Sequence, residues 1–222
     1  SLVRRYYPAY GGTLPIATTN VSYRKHIMAL KNVLKDYVRY SPYYQYSASS
    51  ESALSGWNKD VQEMTMLSIP SIFYGSSIKR GSVDLKFYVT GTVVGQLRDL
   101  YHDGNLIQQS GSISTNDGKV AGSVLYNQGI ILLTGSWGFA PHVEEYTNGV
   151  STQKPAWIYF GSTGSAANDY LRESSYVLDF KGVEKIPNIT MFAHARKNQL
   201  NNSSNPSFVE KQDSSWVGFS YS

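Results

Sequence analysis

Cysteine is absent from this sequence, charge is sparse, and no long apolar run occurs. Without cysteine there is no disulfide framework and no thiolate to act as nucleophile or metal ligand. Charged residues make up only 16% of the 222, against roughly 25% in ordinary soluble domains. The 20 basic and 16 acidic residues leave a net charge of +4. The basic residues are scattered in pairs: Arg4-Arg5, Arg24-Lys25, Lys79-Arg80 and Arg196-Lys197. No run of five like charges forms, so no nucleic-acid footprint is expected. No apolar run approaches the ~20 residues of a membrane-spanning helix, and no membrane partner is expected. No secretory leader is expected in the stretch that opens the sequence. Its first residue, Ser1, fits a processed product or a segment of something longer.

Tyrosine and glycine, by contrast, are abundant, with 18 and 19 copies. Aromatic side chains suit a pleated surface and glycine allows tight reversals, so strands and turns are favoured. Residues 1–20 read as an extended, turn-rich arm. One helix is expected over 22–40, "SYRKHIMALKNVLKDYVRY". Its Ile27, Leu30, Val33, Leu34, Tyr37 and Val38 recur at spacings of three and four, which places them on one face. Arg24, Lys25, Lys31, Lys35 and Arg39 occupy the other face, and Pro42 lies just past the end. A Tyr/Ser-rich linker follows over 40–58. From about residue 68, helical periodicity gives way to strand signals. "SVDLKFYVT" (82–90) alternates apolar and polar without a break, as a half-buried strand does. Further strands are expected over 91–97, 105–109, 119–126, 129–137, 155–161, 175–180, 188–195 and 216–221, with polar turns between them.

The stretch "GSVLYNQGIILLTGSW" (122–137) concentrates the most apolar material of the chain. Asn127, Gln128 and Gly129 read as a hairpin turn. The arm after it is apolar on both faces, as in a central strand that is covered on both sides. The expected fold is therefore mainly β: an antiparallel, jelly-roll-like β-sandwich with one N-terminal amphipathic helix. The expected organisation is an arm over 1–20, a helix and linker over 21–66, and a β-domain over 67–222.

Reaction chemistry is hard to find in this sequence. His26, His102, His142 and His194 show no helical metal-ligand spacing. In "HVEEY", His142 and Glu144 would share one face of a strand, but a metal site needs three or four converging ligands. Asp99 and Asp103 share one turn and read as turn formers. Glu144 and Glu145 are adjacent and would point to opposite faces. No GxSxG elbow occurs, and "GSTGS" (161–165) lacks the lysine of a phosphate loop. No catalytic residue, cofactor or metal is assigned. The candidate contact residues are aromatic: Tyr43, Tyr44, Trp57, Trp137 and Trp157. They could meet a protein partner or stack on a glycan.

Three stretches carry a likeness: "IPSIFYGSSIKRGSVDLKFYVTG" (69–91), "GSVLYNQGIILLTGSW" (122–137) and "ITMFAHARKNQLNNSSNPSFV" (189–209). Together they resemble segments of virion structural proteins of tailed bacteriophages, in particular the large contractile-tailed phages of marine bacteria. The resemblance implies a non-enzymatic virion subunit at the head surface, neck, tail or baseplate. Its partners would be copies of itself and other virion proteins. The alternative expectation is a carbohydrate- or receptor-binding β-sandwich module that meets a host surface glycan.

Overall fold

The structure, a computed structural model, describes residues 3–6, 27–47, 58–59, 62–89, 91–111, 114–139, 143, 146, 153–161, 174–192 and 194. The chain divides into a body, Ser1–Lys185, and a C-terminal unit, Ile186–Ser222.

The body is mainly β and antiparallel. Its strands are β1 (Val3–Tyr6), β2 (Met64–Ser68), β3 (Ser77–Ile78), β4 (Asp84–Val89) and β5 (Thr92–Asp99), then β6 (Asn105–Gly111), β7 (Val120–Leu125), β8 (Ile130–Leu133), β9 (Ser174–Asp179) and β10 (Gly182–Val183). Eight of them form one sheet in the order β1-β2-β8-β7-β6-β5-β4-β9, and β3 pairs with β10 in a separate ribbon. Strands β4 to β8 are a meander of consecutive neighbours. Short connections join β4 to β5, β5 to β6 and β7 to β8, while a longer one that contains the 3-10 turn Ser114–Asn116 joins β6 to β7. Bulges interrupt β4/β5, β5/β6 and β6/β7, and bulges bend strands and increase twist. The sheet curls accordingly: residues of β2 and β9, far apart in sheet order, line one cavity. Among the described residues there is one large sheet, and the second sheet of a sandwich is not among them.

Alternation works as expected in β4. Leu85, Phe87 and Val89 are fully buried, while Asp84, Lys86 and Tyr88 are half-buried on the other face. The hairpin of β7 and β8 is also as expected. Leu125 pairs with Ile130 and Val124 with Ile131, and Ile131, Leu132 and Leu133 are all fully buried. Gly129 closes the turn at φ 63. A Cβ there would collide with the Tyr74 ring and the Ile69 carbonyl, so the turn needs glycine for both conformation and space. Strand β8 lies between β7 and β2, and its successive residues Ile131, Leu132 and Leu133 are buried on both faces of the sheet, so its arm has no polar face.

The helical segment starts, within the described residues, at residues 27–29 and continues as α1 (Lys31–Tyr37). Ile27, Leu34 and Tyr37 are buried in the main core, with Leu30, Val33 and Val38 packed against it. Lys31, Lys35 and Arg39 are exposed. Residues 22–26 lie outside the described residues. The 3-10 turn Pro42–Tyr44 follows, capped by the Ser41 side chain, which accepts from the Tyr43 amide. Tyr44 and Tyr46 enter the core, so this part of the Tyr-rich stretch is packed chain.

Four readings change. Val3–Tyr6, expected as part of an extended arm, is an edge strand of the body's own sheet that pairs with β2. Strand β2 runs across the boundary expected at residues 66–67; four of its five residues are buried, so it shows no alternation. The strand expected over 155–161 is instead a 3-10 turn, Trp157–Tyr159. Residues 156–160 are buried on every side, and an apolar run without alternation does not distinguish a strand from covered coil. Residues 188–192 and 194, expected as strand, carry no strand and are exposed. The strand expected over 216–221 lies outside the described residues.

Candidate protein interface

The interior behind the candidate surface is a cluster of rings. Phe87 sits 5.6 Å from Phe139, 6.1 Å from Trp157, 6.3 Å from Phe160 and 5.0 Å from Tyr176, all edge-on. Edge-to-face contacts of this kind stabilise beyond the area they bury, by about 0.5–1.5 kcal/mol each. Gly95 pairs with Phe87 across β4/β5. A Cβ at Gly95 would lie 2.8 Å from the Trp157 ring and 2.9 Å from that of Phe139. The missing side chain is what lets both rings reach the sheet.

A polar residue anchors the rings. Gln108 is buried on β6, and its Oε1 accepts from Trp157 Nε1 at 3.0 Å and Trp137 Nε1 at 2.8 Å. Its Nε2 donates to Asp117 at 3.0 Å. The Thr65 hydroxyl of β2 donates to the Ile158 carbonyl, and the Ile158 amide donates to Gly135. These bonds hold residues 156–160 against the sheet.

A groove of about 370 Å³ opens beside this cluster. Leu67, Ile69 and Phe73 line one wall, and Tyr176, Leu178 and Phe180 the other. No charged residue lines it, and its surface is almost wholly carbon. Phe73, which lines it, is exposed, as is its chain neighbour Ile72. Isolated exposed apolar residues are ordinary, but a continuous apolar patch marks an interaction surface.

No family model matches this chain, and neither does any curated protein or solved structure.

The aromatic candidates separate into two groups. Trp157 and Tyr44 are fully buried and offer no surface. Tyr44 donates to the Val124 carbonyl at 2.6 Å, and burial pushes its phenol well above the usual tyrosine range. Trp137 and Tyr43 are half-buried. The indole N–H of Trp137 is committed to Gln108, and Lys119 Nζ stands 5.9 Å from its ring. Trp57 lies outside the described residues, as do His26, His142, Glu144 and Glu145. His102 and His194 are exposed. Among the described residues no group of three His, Asp or Glu side chains could hold a metal, and no helix is long and apolar enough to cross a membrane.

Asp99 and Asp103 act as the expected turn formers. Asp99 is buried and accepts from the Gly81 amide (2.7 Å), the Gly104 amide (3.2 Å) and the Tyr126 hydroxyl (2.5 Å). Burial first, and this bond to Asp99 second, hold the Tyr126 phenol protonated far above its usual range. Asp103 accepts from the Asn105 amide at 3.0 Å and side chain at 2.6 Å. Arg80 lies between the Tyr40 ring, 4.5 Å away, and the Tyr126 ring, 4.9 Å away.

The groove was not found by sequence reasoning, because its walls come from residues about 100 positions apart in the chain. The available local signal was "LSIPSIF" (67–73), an apolar segment broken by Pro70 that follows no strand or helix period.

Proposed function

We propose that this chain is a non-enzymatic structural subunit of a tailed-phage virion, at the head surface, neck, tail or baseplate, where it holds protein–protein contacts. The phage context comes from the resemblance of 69–91, 122–137 and 189–209. The assembly role is supported by one observation: large apolar side chains are exposed around a carbon-lined groove. One of the three resembling stretches, 69–91, contributes to that groove through Ile69 and the exposed Phe73. A jelly-roll-like sandwich is the finer architecture proposed with this role, and it needs a second sheet facing the first.

Mass spectrometry of purified particles tests the role: the chain should be present in many copies per virion. Its absence from particles would remove the proposal. The glycan-binding alternative loses a platform, because the Trp157 ring is wholly inside the core.

A further inference from the structure

We infer that Arg39 and Arg80, gathered on the Tyr40 ring, form a binding site for a tetrahedral dianion: phosphate, a phosphomonoester or sulfate.

Two cations converge here from distant parts of the chain. Arg39 follows α1, and Arg80 precedes the turn at Gly81. The guanidinium carbon of Arg80 stands 4.5 Å from the centre of the Tyr40 ring, and that of Arg39 stands 4.9 Å from it. The two charges are therefore closer together than the ~10 Å over which dilute salt screens them. Both guanidiniums act on the Tyr40 hydroxyl, Arg80 foremost, and hold its phenol below the usual tyrosine range. Their potential also reaches the buried Tyr37 phenol beside it, countering in part the rise that burial imposes.

The protein does not neutralise this pair. Among the described residues neither arginine forms an ion pair with a carboxylate. Asp99 and Asp103 belong to the neighbouring turn, but Asp99 is buried under three donors and Asp103 is held by Asn105. Asp36 stands one helical turn before Arg39 without pairing to it. Like charges left together repel, and a counter-ion between them turns that repulsion into attraction.

Arg80 is also held in place. It lies between the Tyr40 ring and the Tyr126 ring, 4.9 Å away, and its Nη1 donates to the His102 carbonyl at 3.4 Å. Tyr126 is itself buried and tied to Asp99. A guanidinium anchored by its faces keeps edge N–H groups for a ligand, and donors ordered in advance lower the cost of binding. Arg39 and Arg80 remain exposed, so the site is open to solvent.

The ligand class follows from charge and shape. A carboxylate brings one charge and two oxygens, which a single guanidinium fork occupies. A tetrahedral dianion brings two charges and enough oxygens to accept from both forks. A nucleic-acid backbone offers one charge per phosphate, and with basic residues scattered in pairs the chain has no stripe to follow it.

Calorimetry at low ionic strength tests the site. Inorganic phosphate should bind with a Kd of about 1 mM or tighter. Sulfate should compete with it, and acetate should bind at least about tenfold more weakly. Arg80→Gln should weaken phosphate binding by about tenfold or more, and so should Arg39→Gln. Arg39 is exposed beyond the helix end, so its variant keeps the fold even where Arg80→Gln loosens the packing on Tyr126. Lys119→Gln removes the same charge at the opposite end of β7 from Tyr126 and should change nothing. Phenyl phosphate binding more tightly than inorganic phosphate would assign the site to an esterified group, and the reverse order to the free ion; either keeps the dianion site. A chain that binds no phosphate would overturn the inference. So would acetate binding as tightly as phosphate. Lys119→Gln weakening phosphate as much as Arg39→Gln would reduce the site to diffuse charge and overturn it as well. A duplex oligonucleotide held through the two arginines, with inorganic phosphate unbound, would do the same.

Discussion

Asp99 on β5 and Gln108 on β6 are both buried in one sheet, and each gathers three hydrogen bonds. Asp99 only accepts: its carboxylate collects two backbone amides and the Tyr126 hydroxyl. Gln108 accepts two indole N–H groups on one oxygen and donates from its nitrogen to Asp117. The first ties turns together, since its donors lie at Gly81 and Gly104 and at the end of the β7/β8 hairpin. The second ties side chains together, fixing two tryptophans against the sheet. A carboxylate has no donor of its own, so Asp99 can be satisfied only by converging N–H and O–H groups. Both residue sets resembled functional sites: a carboxylate pair in a turn, and a pair of tryptophans. In both, the polar chemistry is directed inward.

The sharpest way to break the comparison is to remove the acceptor-only residue. Asp99→Ala leaves three donors facing each other in a buried turn. Stranded donors cost about 1–3 kcal/mol each, partly relieved by water. The expected loss is about 3–5 kcal/mol of unfolding free energy, measured by urea denaturation. A loss under about 1 kcal/mol would mean that the turns around Gly81 and Gly104 hold without it.

Gln108→Leu should come second. It keeps the volume but strands the indole N–H of Trp157, which is fully buried, and that of Trp137, which is half-buried. The half-buried ring can turn to water, so the expected loss is smaller, about 2–4 kcal/mol. Trp137 should also become more solvent-exposed, visible as red-shifted fluorescence. A fluorescence spectrum like that of the unmodified chain would show that Gln108 does not hold that ring.

Gly95→Ala addresses the same aromatic cluster without touching a hydrogen bond. Its added methyl meets two rings at less than 3 Å, and overpacking of this kind costs about 1–3 kcal/mol. Gly91→Ala is the internal control for space, since nothing lies within 4 Å of a Cβ there. Its φ of 78 makes it a strained site as well, so a loss at position 91 reports backbone alone. No loss at position 95 would deny the ring contact any special role.

These centres also mark how far the sequence could be read. The alternation of β4 and the hairpin at 127–129 are local signals, and both are found as expected; of the helix expected over 22–40, the described residues show helix at 27–29 and at Lys31–Tyr37. Asp99 was legible as a turn residue because its spacing to Asp103 and Gly104 is local. Its bond to Tyr126 crosses 27 residues and leaves no pattern. Gln108 sits in "NLIQQ", where an inward glutamine looks like an outward one until the tryptophans arrive from 29 and 49 residues away. Strands β2 and β1 were missed for a related reason. Four of the five residues of β2 are buried, on both faces of the strand, and without alternation they carry no period. The groove needs the whole curled sheet before it exists.

A third buried polar residue, Lys59, gives the most gradual effect. Its Nζ donates to the carbonyls of Tyr43 at 3.0 Å and Gln45 at 2.5 Å, which fastens the Tyr-rich turn to the body. Burial nevertheless lowers its pKa to about 7, whereas an unfolded lysine titrates near ~10.4. Between those values the unfolded chain holds one more proton than the folded one, so stability rises with pH. The rise is at most ~1.4 kcal/mol per pH unit for one proton, and the two carbonyls, which favour the charged form, soften it. Tyr44 and Tyr126 act in the opposite sense. Their phenols are raised by burial, so the stability they contribute is present below ~10 and lost above it as the unfolded phenols ionise. Urea unfolding should therefore show greatest stability near about pH 9 to 10, unusually alkaline for a folded domain. Lys59→Met should flatten the climb between pH 7 and 9 while leaving the fall above 10 intact. A climb that survives Lys59→Met would assign it to another group and leave Lys59 charged in the folded protein, held by its two carbonyls.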